Sequence, residues 1–447
     1  RERSMLTKHC LSLCAASRLG HAHALAVRRL SKQFDGLYTG AAEADRLISL
    51  EEKHGAKNYH PLPVVLERGL GVHVWDVKGR QYLDFLSAYS AVNQGHAHPK
   101  ILAALHEQSS KLTLTSRAFH NNVLGEYERF ITDFFGFDRV LPMNTGVEGG
   151  ETAVKLCRRW GYDVKGIPPD QATVLFCEHN FWGRTLSACS SSSDPSCRKG
   201  FGPFMPNLNL VPYNDLPALE AAFQADPHIA GFMLEPIQGE AGVVVPDEGY
   251  LAGVRALCSQ YNVLMVADEV QTGLCRTGRM LAVDHEEVKP DILVLGKALS
   301  GGVYPVSAVL ASDEVMLTIA PGEHGSTYGG NPLGSAVAIA ALEVLRDEKL
   351  AENAAAMGTL LRSRLGEIQS EAITTVRGKG LLNAIVVKPE APGGPDALTL
   401  CHALKEAGLL AKPTHGHIIR LAPPLVITAE QVEEAADLIN QTVQRLF

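Results

Sequence analysis

Two short apolar runs constrain this chain more than any other feature. Val263-Leu264-Met265-Val266-Ala267 runs into Asp268, and Ile292-Leu293-Val294-Leu295-Gly296 runs into Lys297. Neither run leaves a polar face for water. Each therefore reads as a strand covered on both sides, as in a parallel sheet. Ligands of open α/β sheets bind beyond the carboxyl ends of such strands. An acid and an amine are thus expected to reach one crevice.

The rest of the chain fits that reading. Helices are expected at 99–110, 122–135, 149–161, 216–224, 249–260, 332–347 and 350–369. Strands are expected at 172–177, 208–212, 229–234, 263–268, 292–296 and 306–311. Such alternation implies βαβ units and a mainly parallel sheet. Ahead of it lie a polar arm with a short helix over 41–54, an extended His60-Pro61-Leu62-Pro63, and short strands at 64–66, 72–75 and 81–85. The last hundred residues change character. Their long helices lead to strands at 381–387 and 417–422 and to a final amphipathic helix at 428–445. The expected organisation is a basic segment over 1–33, an arm with small strands over 34–90, a large domain over 91–331, and an α+β domain over 332–447. Residues 389–395 read as a surface loop.

At 447 residues, the chain is too long for one ordinary core. Its 41 basic and 49 acidic residues give a net charge of −8, which disfavours a general nucleic-acid binder. No apolar run is long enough to span a bilayer as a helix. None of the 9 cysteines forms a Cys-x-x-Cys pair, so reduced thiols are expected. The first 33 residues carry seven Arg or Lys against the single acid Glu2. That is the composition of a mitochondrial presequence, with the matrix as destination; a basic arm without an address, and the cytoplasm, is the alternative.

Chemistry-bearing motifs fall where strands end or helices begin. Asn144-Thr145-Gly146-Val147-Glu148-Gly149-Gly150 precedes a helix and suits a phosphate, or is a plain turn. Phe181-Trp182-Gly183-Arg184 follows a strand; the aromatics suit a flat ligand or a core, and Arg184 a carboxylate clamp or a surface ion pair. Glu235-Pro236-Ile237-Gln238-Gly239-Glu240 puts two carboxylates at the same sheet edge. Asp268-Glu269-Val270-Gln271-Thr272-Gly273 and Lys297 follow, and Gly325-Ser326-Thr327-Tyr328-Gly329-Gly330 is a second glycine-rich loop before a helix. A Lys that forms a Schiff base with an aldehyde, and a carboxylate that keeps a pyridine nitrogen protonated, are what pyridoxal 5'-phosphate (PLP) chemistry requires.

Asp268-Glu269-Val270-Gln271-Thr272-Gly273, the Lys after Leu-Gly and the Ser326-Thr327 loop together resemble the class III, fold-type I PLP-dependent aminotransferases. The resemblance runs from about Leu47 to the C-terminus. It implies a large domain with a mainly parallel seven-stranded sheet flanked by helices, plus a smaller α+β C-terminal domain. Lys297 would hold PLP and shuttle the proton. Asp268 would pair with the pyridine nitrogen and Gln271 with the ring oxygen. Gly146 and Val147 would offer amides to the phosphate, Phe181 would stack on the ring, and Thr327 would reach the phosphate of a partner subunit. The active unit would then be a homodimer with shared sites, or a higher assembly of such dimers.

Asn58-Tyr59-His60-Pro61-Leu62-Pro63, Tyr89-Ser90-Ala91-Val92-Asn93-Gln94-Gly95-His96 and Pro321-Gly322-Glu323-His324-Gly325-Ser326 narrow the resemblance to enzymes that move the terminal amine of ornithine to 2-oxoglutarate. There Tyr59 and Arg184 would hold the α-amino and α-carboxylate groups, with Tyr89 shaping the pocket. Arg420 would bind 2-oxoglutarate and be masked by Glu240 while ornithine is bound. Glu235 would likewise hold Arg184. Another ω-aminotransferase, for acetylornithine, 4-aminobutyrate or lysine, is the alternative, and Tyr59 and Tyr89 argue against it. A nucleotide-dependent oxidoreductase would need the Gly-x-Gly-x-x-Gly fingerprint that is missing here. Retention of Lys297, Asp268 and Arg420 argues against an inactive binding protein. Gly149 stands where many relatives carry Ala, and no functional consequence is expected. The pairs His96/His98 and His415/His417 lack further ligands nearby, so no metal site is expected.

Overall fold

The computed structural model describes residues 40–388 and 395–447; the basic segment over 1–33 and most of the expected loop over 389–395 lie outside the described residues. The described residues divide into two compact units, 40–68 with Trp75–Arg80, and Gly69–Val74 with the described residues from Gln81 to Phe447. In the first, a helix spans Gly40–His54 and pairs Glu43 with Arg46 at 2.6 Å. The turn at Gly79 is closed by the Asp76 carboxylate, which accepts from the amides of Lys78 and Arg80, both at 2.9 Å. Arg68 lies over the Trp75 ring at 3.8 Å.

The second unit holds a seven-stranded sheet. Its strands in chain order are β1 (Arg139–Met143), β2 (Thr173–Cys177), β3 (Leu208–Val211), β4 (Ile229–Leu234), β5 (Leu264–Asp268), β6 (Ile292–Leu295) and β7 (Ser307–Ala311). Across the sheet they run β1-β7-β6-β5-β4-β2-β3. Only β7 is antiparallel to its neighbours; the others point one way. Every residue of β2, β4, β5, β6 and β7 is buried, as continuous apolar runs require. The helix Gly146–Asp163 packs on one face, bringing Ala153, Leu156, Cys157 and Trp160 against Val174, Val266, Ile292 and Val294. Burying one Leu, Ile or Val side chain there contributes about 1.5–3 kcal/mol.

The strands expected for this sheet lie within a residue or two of those observed, but β1 was not foreseen, and the strand expected at 64–66 is found at Leu66–Leu70. Pro142 argues against a strand at β1, and the structure accommodates it at the sheet's edge, where a missing donor matters least. The helix expected from 149 begins at Gly146 instead. Thr145 accepts from the Glu148 amide at 3.3 Å while the Glu148 carboxylate accepts from the Thr145 amide at 2.8 Å, a reciprocal cap that fixes the start. Gly149 and Gly150 therefore lie inside the helix. A Cβ at 149 would sit 2.9 Å from Val294 Cγ1, and one at 150 would sit 2.4 Å from the Trp182 ring. Their smallness lets the helix descend onto the sheet.

A second, fully antiparallel sheet follows: β8 (Ile373–Lys379), β9 (Leu382–Val387), β10 (Lys412–Thr414) and β11 (Ile418–Leu421), in the order β8-β9-β11-β10. The loop after β4 packs on it through a cluster of Ile237, Val243, Leu382, Ala384 and Ile418. Among the described residues, no helix is long and apolar enough to cross a membrane.

Candidate active site

Six strands with a common direction send their carboxyl ends to one edge of the sheet, and five of them supply the site. β5 ends on Asp268, β6 is followed by Lys297, β4 by Glu235, β2 by the loop to Phe181, and β1 by Asn144 and the capped helix. Gly146, Val147, Phe181, Trp182, Glu235, Asp268, Gln271 and Lys297 line one cavity of about 240 Å³. A second opening of about 430 Å³ shares Gly146 and Lys297 and is bounded by Ala88, Val92 and Tyr304.

The inner groups are costly to bury. Asp268 is 5% and Glu235 6% exposed. Burial raises Asp268 to about 6, opposed by an amide bond from Val270 at 3.1 Å and by the charge of Lys297. Burial raises Glu235 further, to about 8, and the neighbouring Asp268 adds to the effect. Lys297 is lowered, chiefly by desolvation, against the pull of both carboxyls. Its backbone is held at φ 40, a left-handed conformation rare for a residue with a side chain and one that concentrates at functional sites. An amine whose proton is loosened by burial is a usable nucleophile.

These groups fit PLP. Asp268 Oδ1 is engaged by the Val270 amide, which leaves the second oxygen for a pyridinium nitrogen, whose charge would offset the desolvation of the carboxylate. The first-turn amides of Gly146 and Val147 have no acceptor within their helix, and the helix start favours an anion. Glycine is needed at 146 because a Cβ would sit 2.8 Å from Val270 Cγ1. A Cβ at 239 would displace the Gln271 side-chain amide from its place in the cavity wall. Phe181 lines the cavity, while its neighbour Trp182 turns into the core, stacking on Phe176 at 5.6 Å and donating to Ser191 Oγ at 2.8 Å.

A second cluster lies farther out. Arg420, 4% exposed on β11, donates from Nη1 to Glu240 Oε2 at 2.8 Å. Its guanidinium lies 4.6 Å from the centre of the Tyr89 ring. The antiparallel sheet holds the Glu240 backbone: Thr414 Oγ1 donates to the Glu240 carbonyl at 3.2 Å, and His415 Nε2 lies 3.1 Å from the same oxygen. Tyr89 sits in a left-handed turn in which Ser87, Ala88, Tyr89 and Ser90 have φ of 49, 46, 60 and 73. Each such residue costs about 1–2 kcal/mol. The turn is held by Asp84, whose Oδ1 accepts from the amides of Leu86 and Ser87, each at 2.9 Å, and whose Oδ2 meets His96 Nε2 at 2.7 Å. Both Arg420 and Glu240 act electrostatically on Lys297, so the two clusters share one field.

The remaining expected residues are placed as follows. Arg184 lies 5.3 Å from the centre of the Phe181 ring and donates to Cys197 Sγ at 3.3 Å. Glu235 does not hold Arg184. Its two oxygens accept from the amides of Phe181 at 2.9 Å and Gly239 at 3.2 Å, because this carboxyl turns inward to tie two loops at the sheet edge. Thr327 is exposed. Tyr59 belongs to the first unit and is 74% exposed. His98 pairs with Glu348 at 2.9 Å. Sequence reasoning missed Glu269, buried at 1% and bonded to the Val283 amide at 2.9 Å, although it stands beside Asp268 in the motif. It also missed Arg276, fully buried, which donates to the carbonyls of Leu381 and Pro423 and to Asn93 Oδ1 at 3.0, 2.6 and 2.6 Å.

Comparisons with known proteins agree with this geometry. The family model described as aminotransferase class-III matches residues 54–443. The mitochondrial ornithine aminotransferase of Rattus norvegicus is 64% identical over 404 residues, 90% of this chain and 91% of its own. The crystal structure of the ornithine aminotransferase from Toxoplasma gondii superposes with a TM-score of 0.89 at 48% identity, covering 93% of this chain and 97% of that one. An acetylornithine aminotransferase from Elizabethkingia anophelis gives a TM-score of 0.83 at 56% identity, over 90% of this chain and 99% of that one. With Lys297 and Asp268 at the sheet edge and a family match over most of its length, the chain belongs to the class III aminotransferases, and its cofactor is PLP.

Proposed function

We propose that the chain transfers the δ-amino group of L-ornithine to 2-oxoglutarate, giving L-glutamate 5-semialdehyde, which cyclises to pyrroline-5-carboxylate, and L-glutamate. The observation that carries this reading is the Glu240–Arg420 ion pair of 2.8 Å beside Tyr89, within the field of Lys297. The relatives named as ornithine aminotransferases support it. PLP, when bound, supplies an aldehyde that captures amines and a ring that takes up the electrons released when a C–H bond next to nitrogen breaks.

The side chains then divide the work. Lys297 Nζ would hold the cofactor and, when the substrate amine takes its place, would move the proton from Cδ of ornithine to the cofactor side; in the half-reaction with 2-oxoglutarate it would move a proton the other way, onto Cα of the new glutamate. The Asp268 carboxylate holds the proton on the pyridine nitrogen, and the Gln271 amide bonds the ring oxygen. The amides of Gly146 and Val147 hold the phosphate, and Phe181 covers the ring. Arg184 takes the α-carboxylate of ornithine, so the far amine points at Lys297. Glu240 neutralises Arg420 while ornithine is bound, which stops the diamino acid from binding in the opposite sense. When 2-oxoglutarate arrives, its α-carboxylate takes Arg420 from Glu240.

Thr327, exposed on its loop, completes the phosphate site of a partner subunit, so the working form is a homodimer. The basic first 33 residues, together with relatives from rat and fruit fly named as mitochondrial, support a mitochondrial location. A second reading, acetylornithine as the amine donor, rests on the name of the Elizabethkingia neighbour. Single-turnover absorbance separates the two. Ornithine should bleach the visible band of the PLP-loaded protein, and 2-oxoglutarate should restore it. Faster bleaching with N-acetylornithine than with ornithine overturns the first reading.

A further inference from the structure

The loop 321–330 alternates. Glu323, Gly325 and Thr327 are exposed, while His324 and Ser326 turn inward. His324 docks on the helix whose first turn is the phosphate cradle, and Ser326 docks on Asn144, two residues before that helix. Ser326 Oγ accepts from Asn144 Nδ2 at 2.7 Å, and Asn144 is in turn bonded to Glu148, the carboxylate that caps that helix. His324 Nε2 meets Thr152 Oγ1 at 2.8 Å, and its Nδ1 meets Lys155 Nζ at 2.9 Å. Lys155 also donates to the Glu323 carbonyl at 3.0 Å.

The partners fix the ring's tautomer. Thr152 spends its hydrogen on the Glu148 carbonyl at 2.7 Å, so its oxygen accepts from His324 Nε2. A lysine ammonium can only donate, so His324 Nδ1 must accept. The ring is therefore neutral, with its proton on Nε2. A second proton on Nδ1 would point at an ammonium 2.9 Å away. Lys155, Glu148 and Glu151 face the ring from the helix. On its own loop Glu323 is drawn off by Arg159, 3.4 Å from it. Burial, and then Lys155, hold this imidazole below the usual histidine range.

We propose that neutral His324 is a positioning residue for the cofactor: by latching its loop to the Gly146–Asp163 helix it aims Thr327 at the partner's phosphate, and protonation at Nδ1 releases the latch. The inference rests on the reading of Thr327 given above. It makes PLP retention depend on a side chain that touches no cofactor.

The test follows PLP release from the loaded enzyme after dilution, by loss of its visible band, with pyridoxal, which lacks the phosphate, as the second probe. His324→Ala should lose PLP about 10-fold faster, the worth of one or two hydrogen bonds of about 1 kcal/mol. Pyridoxal should bind as in the wild type. Thr327→Ala should match it, and the double variant should be no worse than either single one. His324→Gln, which can still meet Thr152, should recover part of the loss. In the wild type PLP release should accelerate as the pH falls below the usual histidine range, and Lys155→Met should move that acceleration to higher pH. Equal weakening of PLP and pyridoxal in His324→Ala overturns the proposal, as does wild-type retention in His324→Ala beside a weakened Thr327→Ala. Retention unchanged in Thr327→Ala, with PLP lost from His324→Ala, overturns the reading of Thr327 and with it the route claimed for His324.

Discussion

The inner edge of the large sheet and the outer cluster on the smaller sheet are built on opposite principles. Inside, Asp268 ends one buried strand and Lys297 and Glu235 follow two others, and the parallel sheet itself brings them together. Their mutual burial perturbs all three. Outside, Tyr89, Glu240 and Arg420 come from a strained turn, a loop and an antiparallel strand. Their positions depend on contacts between these segments rather than on one sheet. The rigid edge sets the chemistry, which is common to many amines. On the proposed function, the composite cluster sets which carboxylate is accepted, and it is built from three separate segments. The proposed function has this ion pair open once per cycle, which suits a partly exposed pair: breaking a fully buried one costs about 3–5 kcal/mol, and Glu240 keeps a third of its side chain exposed.

If the division is right, damage to the inner edge should abolish turnover with every substrate. Lys297→Ala should lower both half-reactions by at least about 10,000-fold, since a positioned acid–base group contributes about 100- to 10,000-fold and its covalent role is lost as well. It should also leave no PLP on the protein after borohydride reduction. Cofactor trapped on the variant would move the amine elsewhere. Asp268→Ala should keep Lys297 reactive toward PLP yet slow turnover by about 100- to 1,000-fold, the usual effect of losing one electrostatic stabiliser.

Damage to the outer cluster should instead change selectivity. Glu240→Ala leaves Arg420 open to either carboxylate-bearing substrate. The ratio of α- to δ-transamination of ornithine should rise by about 10- to 100-fold, in line with about 1.5–3 kcal/mol for a hydrogen bond to a charged group. Product analysis by mass spectrometry reads that ratio directly. Unchanged regiospecificity would mean that Glu240 merely holds Arg420 in place. The two regions would then not be divided as argued.

A smaller effect separates them by pH. Glu235 ionises at its ordinary 4.5 when the chain is unfolded and only near about 8 in the fold. Between those values the folded protein keeps a proton that the unfolded chain gives up, so this group makes the cofactor-free protein less stable as the pH rises through that window. Glu235→Gln removes the titration. Thermal melts of the cofactor-free variant from about pH 5 to about pH 8 should therefore fall less than those of the wild type. Parallel curves would show that the amides of Phe181 and Gly239 keep Glu235 ionised.

The same contrast explains what could be read without coordinates. Five apolar residues before Asp268 can hardly be anything but a covered strand, so the inner edge was legible from local pattern alone. β1 was obscured because Pro142 breaks the local rule and only the sheet's topology, which places it at the edge, makes it tolerable. The turn at 87–90 was illegible for a related reason. Ser-Ala-Tyr-Ser carries no glycine to mark left-handed backbone, and the Asp84 carboxylate that holds the turn is named only by geometry. The meeting of Glu240 with Arg420 spans 180 residues, and no periodicity reports such a distance. Family resemblance suggested that pair, but the same reasoning also paired Glu235 with Arg184, which the structure does not.

The smallest effect tests how tightly the inner edge is set. Gly149→Ala gains helix propensity, worth up to about 1 kcal/mol in a helix interior and less near its start. Against that, the added methyl would sit 2.9 Å from Val294 Cγ1, on the strand that leads to Lys297. Overpacking of this kind costs about 1–3 kcal/mol. Burial should win, and the variant should melt lower by an amount that Val294→Ala, by opening the space, partly restores in the double variant. If Gly149→Ala melts higher than the wild type, the helix has room to move. The phosphate cradle at its first turn would then be less rigidly tied to Lys297 than the outer cluster is to its own sheet.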